Sequence, residues 1–130
     1  MTGSADSLAR ARLELAAAGH LAAGGFAAAA ISRAYYAAFY AAEVALAEIG
    51  ETRSRHSGVV AAFGQLFVRP GTFEPAVGSL LRSLFDRRTR ADHGDDDEAT
   101  DADARGAIAD ATHVVDAVDR WLGEHRRGRA

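Results

Sequence analysis

The positions of proline constrain the fold of this 130-residue chain more than any other feature. Both prolines, Pro70 and Pro75, lie between residues 68 and 75, so a long stretch without proline remains on each side. Proline breaks the interior of a helix, whereas alanine, which is abundant in both stretches, has the highest intrinsic helix propensity. No alternating run of β-branched residues predicts a strand. We therefore expect an all-α fold.

Apolar residues recur at three- and four-residue steps in five segments, and this spacing predicts five helices. The expected helices cover about residues 5–23, 26–49, 55–68, 73–93 and 101–124. A chain of this length builds one core of ordinary size and is too short for two. We expect a single domain over residues 1–130, folded as an up-and-down antiparallel helical bundle. The last residues, after about residue 123, are predicted to form a mobile tail.

Several classes of protein and site are excluded by what the sequence lacks. There is no cysteine, so disulfides and thiolate metal sites are absent. The histidines do not form an H-E-x-x-H motif, and no P-loop or G-x-S-x-G motif occurs, so we predict neither a metal site nor a cofactor. The amino-terminal residues carry charges within their apolar pattern, which predicts neither a signal peptide nor a membrane span. We expect a cytoplasmic protein without a membrane partner.

The charge distribution is more informative than the net charge of −3. An acidic chain is a poor candidate for coating nucleic acid nonspecifically, and we predict no DNA partner. However, a cluster of arginines is followed directly by a run of acids: Arg82, Arg87, Arg88 and Arg90, then Asp92, Asp95, Asp96, Asp97, Glu98, Asp101 and Asp103. Such a patch either guides a phosphate-bearing ligand or pairs internally.

Helical periodicity distinguishes Arg88 from its neighbours. At about 100° per residue, Arg88 falls within about 20° of the centre of the apolar stripe of the fourth helix. Arg87 lies on one flank and Arg90 on the far side. Arg88 is therefore expected to point along the core face, where a guanidinium needs a partner because an unpaired buried charge is costly.

Arg88 and His93 form an R-x4-H pair with a possible chemical role. Cleaving RNA without a metal requires a base, an acid and positive charge on the phosphate, which histidine and arginine can supply. One pair is half a site, and a two-fold dimer would bring two together. In an ideal helix the pair diverges by about 140°, so the helix end before Gly94 must depart from regular geometry. Alternatively, Arg88 pairs with Asp92 and His93 only caps the helix.

Two further features of the sequence are open to two interpretations. Tyr36 and Tyr40 lie on a second face of the second helix, where they either pack with their hydroxyls at the rim or line a dimer or ligand groove. On the same helix, Ser32 and Arg33 either tie it to its neighbours or contact phosphate. His56 is interpreted as a first-turn helix residue without chemistry.

Three segments together resemble the HEPN domains of prokaryotic toxin–antitoxin and nucleotidyltransferase-linked systems. They are, in chain order, AISRAYYAAFYAAEVAL, RHSGVVAAFGQLFVRPG and LLRSLFDRRTRADHG. The resemblance covers residues 15–94, and the last helix agrees only in pattern. It implies a helical bundle, usually dimeric, which is the fold expected from periodicity.

The resemblance also implies a function and a set of site residues. Many HEPN proteins are metal-independent endoribonucleases with paired R-x4-6-H motifs at a dimer interface. We accordingly predict Arg88 and His93 as the catalytic pair of a homodimeric ribonuclease toxin that acts on RNA, with a small nucleotidyltransferase as its antitoxin. The predicted substrate-binding residues are Arg87, Arg90 and Asp92. The alternative is a non-catalytic module that docks on a nucleotidyltransferase or binds a nucleotide.

Overall fold

The protein is a helical bundle, here described from a computed structural model. The structure describes the backbone of residues 2–92 and 99–128 and the side chains of residues 8–90 and 99–128. Five α-helices run through these ranges, with one π-helical segment and no strand among the described residues: α1 (Thr2–Ala23), α2 (Ala27–Glu48), α3 (His56–Phe63), the π-segment (Gly64–Val68), α4 (Pro75–Asp92) and α5 (Asp101–Gly128). The expected all-α bundle is confirmed.

Helix α2 is the centre of the bundle and packs against α1, α3, α4 and α5. Its interior consists largely of alanine, and seven of its alanines have no exposed surface: Ala30, Ala34, Ala37, Ala38, Ala41, Ala42 and Ala45. Since a methyl group occupies little space, neighbouring helices can approach the α2 backbone closely. The alanine-rich sequence therefore accounts both for the length of the helix and for its central position.

The long helices alternate in direction. Glu14 of α1 contacts Arg33 of α2, whereas the earlier Arg10 contacts the later Tyr40, so α1 and α2 are antiparallel. Both α1 and α2 end at a glycine with positive φ, Gly25 and Gly50. The amides after them bond back to the last helical turn, as in a Schellman motif.

The predicted third helix changes geometry partway along. It is α-helical only to Phe63 and then widens into the π-segment, where the amide of Arg69 bonds to the carbonyl oxygen of Gly64 at 2.9 Å. In this geometry Phe63 and Phe67 both join an aromatic cluster with Phe73, and Trp121 of α5 completes it. Apolar spacing cannot distinguish the two helix types over so few residues.

The predicted end of the fifth helix near residue 124 is wrong. Where the sequence predicted a tail, α5 continues as a helix to Gly128. Arg126 donates to the largely buried carboxylate of Glu48, with its Nη2 at 3.0 Å, and the His125 ring stacks on Trp121 with centroids 4.8 Å apart. These contacts with the end of α2 and with α5 itself explain why the helix persists.

We predict opposite effects for two glycine-to-alanine substitutions. Gly106→Ala should raise the free energy of unfolding by about 0.5–1 kcal/mol, because this position in α5 has open space and alanine favours helix. Gly78→Ala should lower it, because the new Cβ would lie 2.8 Å from Cγ2 of Val68, and such overpacking costs about 1–3 kcal/mol. Urea unfolding followed by circular dichroism measures both. Equal stabilisation by both changes would contradict this account of the contact between α4 and the π-segment.

Candidate functional site

Arg88 lies where α4 crosses the tyrosines of α2. Buried Leu81 and Leu84 form the core face of α4, and Arg88 continues that face one turn further on. Its Nη2 donates to the hydroxyl of Tyr36 at 3.0 Å, and its Nε is buried. The guanidinium carbon lies 5.3 Å from the ring centre of Tyr36 and 5.5 Å from that of Tyr35. The predicted direction of the Arg88 side chain is confirmed.

His56 reaches the same tyrosines from the first residue of α3. Its Nδ1 lies 3.1 Å from the hydroxyl of Tyr35, a residue with no exposed surface. The imidazole packs on Phe39, with ring centroids 4.1 Å apart, and meets Tyr36 nearly edge-on at 5.7 Å. We call Tyr35, Tyr36, His56 and Arg88 the Arg88 cluster.

Burial and charge shift two ionisation equilibria in the Arg88 cluster. Burial lowers the pKa of His56, and the positive charge of Arg88 lowers it further. Burial also raises the pKa of Tyr35, more than Arg88 lowers it. At neutral pH His56 is therefore a neutral imidazole and Tyr35 a protonated phenol.

The participation of His56 is what sequence reasoning missed. No spacing rule connects a histidine at the start of α3 with an arginine at the end of α4. A usable signal was present in Tyr35, which belongs to the buried stripe of α2 and carries a hydroxyl that needs a hydrogen-bond partner. The first polar ring after the α2–α3 connection, His56, was the natural candidate.

The other predicted site residues do not all gather around Arg88. Arg87 turns to α5, where its Nη2 lies 2.6 Å from Oδ2 of Asp110 in a partly buried ion pair. Arg90 is exposed. The side chain of Asp92 and the whole of His93 lie outside the described residues, as does most of the acidic run that follows.

The second face of α2 is lined by arginine–tyrosine contacts. The hydroxyl of Tyr40 accepts a hydrogen bond from Arg10 at 2.8 Å, and the guanidinium of Arg10 lies over the Tyr40 ring. Arg33 lies over the ring of Tyr36 and forms an ion pair with Glu14 of α1. Both tyrosines thus pack with their hydroxyls engaged at the rim, and Arg33 ties α2 to its neighbour.

The four residues of the Arg88 cluster include one histidine and no carboxylate, a set that does not make a metal site. Within residues 2–92 and 99–128, no three histidine, aspartate or glutamate side chains lie close enough together to hold a metal ion. A cavity of about 380 Å³ lies between α5 and the segment before α4, near Glu74 and His113. In the same part of the chain, no helix is long and apolar enough to span a membrane.

The fold and the position of Arg88 define a class of protein: a small helical bundle with an arginine at the end of its fourth helix. The HEPN domain family model matches residues 4–121, which is most of the chain. The chain belongs to the HEPN family, and the resemblance seen in its sequence is confirmed.

Curated relatives agree with this assignment. The chain is 32% identical over 98 residues to a "UPF0332 protein" of Thermotoga maritima, covering 75% of this chain and 74% of that protein. It is 33% identical over 95 residues to "Putative toxin MJ0605" of Methanocaldococcus jannaschii, covering 73% and 70%.

One solved structure shares the fold. The crystal structure of TT1696 from Thermus thermophilus matches with a TM-score of 0.82 at 20% identity, covering 93% of this chain and 99% of that one. At this level of identity the likeness concerns the fold alone.

We predict that Arg87 and Asp110 are energetically coupled. Arg87→Gln and Asp110→Asn should each destabilise the protein by about 1 kcal/mol, because each leaves a partly buried charge without its partner. The double variant should lose less than the sum, with a coupling energy of about 0.5–1.5 kcal/mol. Arg105→Gln, which breaks an exposed pair with Asp101, is the control and should change stability by less than about 0.5 kcal/mol. Additive losses would refute the coupling.

The pH dependence of stability should report the environment of His56. Because the pKa of His56 is lowered in the folded protein, the unfolded chain binds a proton more readily as the pH falls below about 6.5. Wild-type protein should therefore lose stability between about pH 7.5 and pH 5 relative to His56→Gln. Urea unfolding across this range measures the difference, which should shrink when both proteins also carry Arg88→Gln. A difference independent of pH would contradict the lowered pKa.

Proposed function

We propose that this protein is a metal-independent endoribonuclease and the toxin of a toxin–antitoxin pair. The observation that carries the proposal is the position of Arg88, whose guanidinium is held against Tyr36 at the end of α4 beside a neutral histidine. Family membership supports it, as does the relative that bears the name of a toxin.

The chemistry is an internal transesterification of RNA. A base removes the proton of a 2′-hydroxyl, the 2′-oxygen forms a bond to phosphorus, and the bond from phosphorus to the 5′-oxygen breaks. An acid returns a proton to the departing oxygen, so no further reactant is consumed. Positive charge lowers the barrier because negative charge accumulates on the phosphoryl oxygens in the transition state.

The roles of the residues follow from their chemistry and positions. Arg88 binds the phosphoryl oxygens, since a guanidinium is a rigid, permanently charged donor. His93 transfers protons, a role that stays a prediction from the R-x4-H motif. Exposed Arg90 is suited to contact the RNA backbone, and Asp92 remains a predicted substrate contact. Arg87 is already engaged by Asp110, so we assign it mainly to holding α4 against α5.

The complete site is proposed to be shared between two copies of the chain. One R-x4-H motif supplies a single arginine–histidine pair, whereas cleavage needs both a base and an acid. A two-fold dimer repeats the motif, so the two roles come from identical residues. A small nucleotidyltransferase is the proposed antitoxin.

A fixed arginine also suits a binding module without catalysis. Held by Tyr36 over two aromatic rings, the Arg88 guanidinium is preorganised for an anion such as a nucleotide phosphate. This second function predicts tight binding and no cleavage.

The proposed function predicts RNA cleavage that persists in EDTA. Arg88→Gln and His93→Gln should each reduce the cleavage rate by about 100-fold or more, the usual contribution of one proton-transfer or phosphate-binding group. The measurement is the rate at which purified protein forms fragments from total RNA. It is made at protein concentrations above and below the dissociation constant of the proposed dimer. Exposed Arg82 on the same helix provides the control, and Arg82→Gln should cleave at the wild-type rate.

Circular dichroism of each variant distinguishes lost chemistry from lost folding. Cleavage unchanged in both Arg88→Gln and His93→Gln would refute the nuclease site. No cleavage by wild-type protein, together with nucleotide binding that Arg88→Gln abolishes, would favour the binding module.

A further inference from the structure

His56 and Arg88 come from different helices and converge on one pair of rings. The guanidinium carbon of Arg88 lies 5.5 Å and 5.3 Å from the ring centres of Tyr35 and Tyr36, and the His56 ring lies 5.8 Å and 5.7 Å from them. His56 is only partly buried, so part of this residue is open to solvent. The two basic side chains therefore border the same pair of rings and are close enough for the charge of Arg88 to act on His56, although the R-x4-H motif contains only the arginine.

The Arg88 cluster has the chemistry of an anion site. The hydroxyl of Tyr36 accepts from Arg88 and so can donate its own proton to a ligand. The imidazole of His56 is held through Nδ1, which directs its other nitrogen, Nε2, away from Tyr35. Guanidinium, phenol and imidazole N–H groups are all donors, and together they match the several acceptor oxygens of a phosphate group.

We propose that His56 and Arg88 hold one phosphate group between them, and that the hydroxyl of Tyr35 fixes the imidazole in both of its protonation states. That this phosphate is the scissile phosphate of RNA rests on the proposed function. Phosphate binding itself does not depend on cleavage. His56 thereby becomes a second candidate catalytic histidine, supplied by the same protomer as Arg88.

Tyr35 can serve both states of the imidazole because a phenol is donor and acceptor. It donates to Nδ1 of neutral His56 and accepts from Nδ1–H once the ring is protonated. Without ligand, burial and Arg88 keep the pKa of His56 low. Further ionisable groups near the cluster on α2 are Arg33, which lies over the ring of Tyr36, and Glu43, whose own pKa burial raises. A bound phosphate offsets the charge of Arg88 and favours a proton on His56.

The consequence for cleavage is a proton donor beside the phosphate. In the step described above, protonated His56 gives the Nε2 proton to the departing 5′-oxygen as its bond to phosphorus breaks. The proton removed from the 2′-hydroxyl balances this transfer and restores the starting protonation after exchange with solvent. Each protomer then contributes His56 as a proton-transfer group in addition to the predicted His93.

The experiment follows the imidazole of His56 by NMR in the wild-type protein, with and without an RNA oligonucleotide methylated at every 2′-oxygen. This probe carries the phosphates but lacks the nucleophile, so it binds without being cut. The pKa of His56 should rise when the probe is added, and the rise should be lost in Arg88→Gln. His113 is the internal reference, since its partner Glu74 precedes α4, about 20 Å along the helix from Arg88. Its resonances should not move.

Cleavage of unmodified RNA is measured in parallel. His56→Gln should reduce it by about 100-fold, and Tyr35→Phe by about 10-fold through a misoriented imidazole. An unmoved His56 pKa overturns the proposal, whatever His56→Gln does to cleavage. If wild-type protein cleaves RNA and His56→Gln cleaves it at the same rate, the catalytic role of His56 is overturned. If wild-type protein cuts no RNA while the pKa still rises, the proposed nuclease function fails and the phosphate site stands.

Discussion

The close packing of other helices on the alanine face of α2 is the interaction on which the rest of this structure depends. Four helices contact α2, and the alanines between Ala34 and Ala45 have no exposed surface. Each methyl group buried there contributes little hydrophobic free energy by itself. The gain comes from proximity, because backbones that approach closely bring many atoms of both helices into dispersion contact.

The Arg88 cluster occupies the part of α2 where aromatic residues interrupt the alanines. Tyr35, Tyr36 and Phe39 present rings there instead of methyl groups, and these rings pack against one another. Arg88 from α4 and His56 from α3 both pack against these rings. One helix therefore supplies both features. Its alanines form the closely packed core, and its aromatic residues form the floor of the Arg88 cluster.

Much of the fold could be predicted from the sequence, because it depends on periodicity and on a few strong breakers. Proline placement and the buried stripe that selects Arg88 are both local signals, and the structure confirms them. The features that could not be predicted are contacts between residues distant in the chain. Three such contacts form only once the helices are packed together. They are the contact of His56 with Tyr35, the ion pair of Arg87 with Asp110, and the contact of Glu48 with the end of α5.

The π-segment from Gly64 to Val68 has a consequence for how the chain can vary in length. A π-turn holds one residue more than an α-turn, so losing one residue here would leave a regular helix rather than a broken one. Because the wider turn already accommodates the extra residue, the residues on either side of the deletion would keep their directions relative to each other. A deletion before Phe67 would therefore leave this ring against Trp121, so the chain could shorten by one residue and keep the aromatic contact between the π-segment and α5.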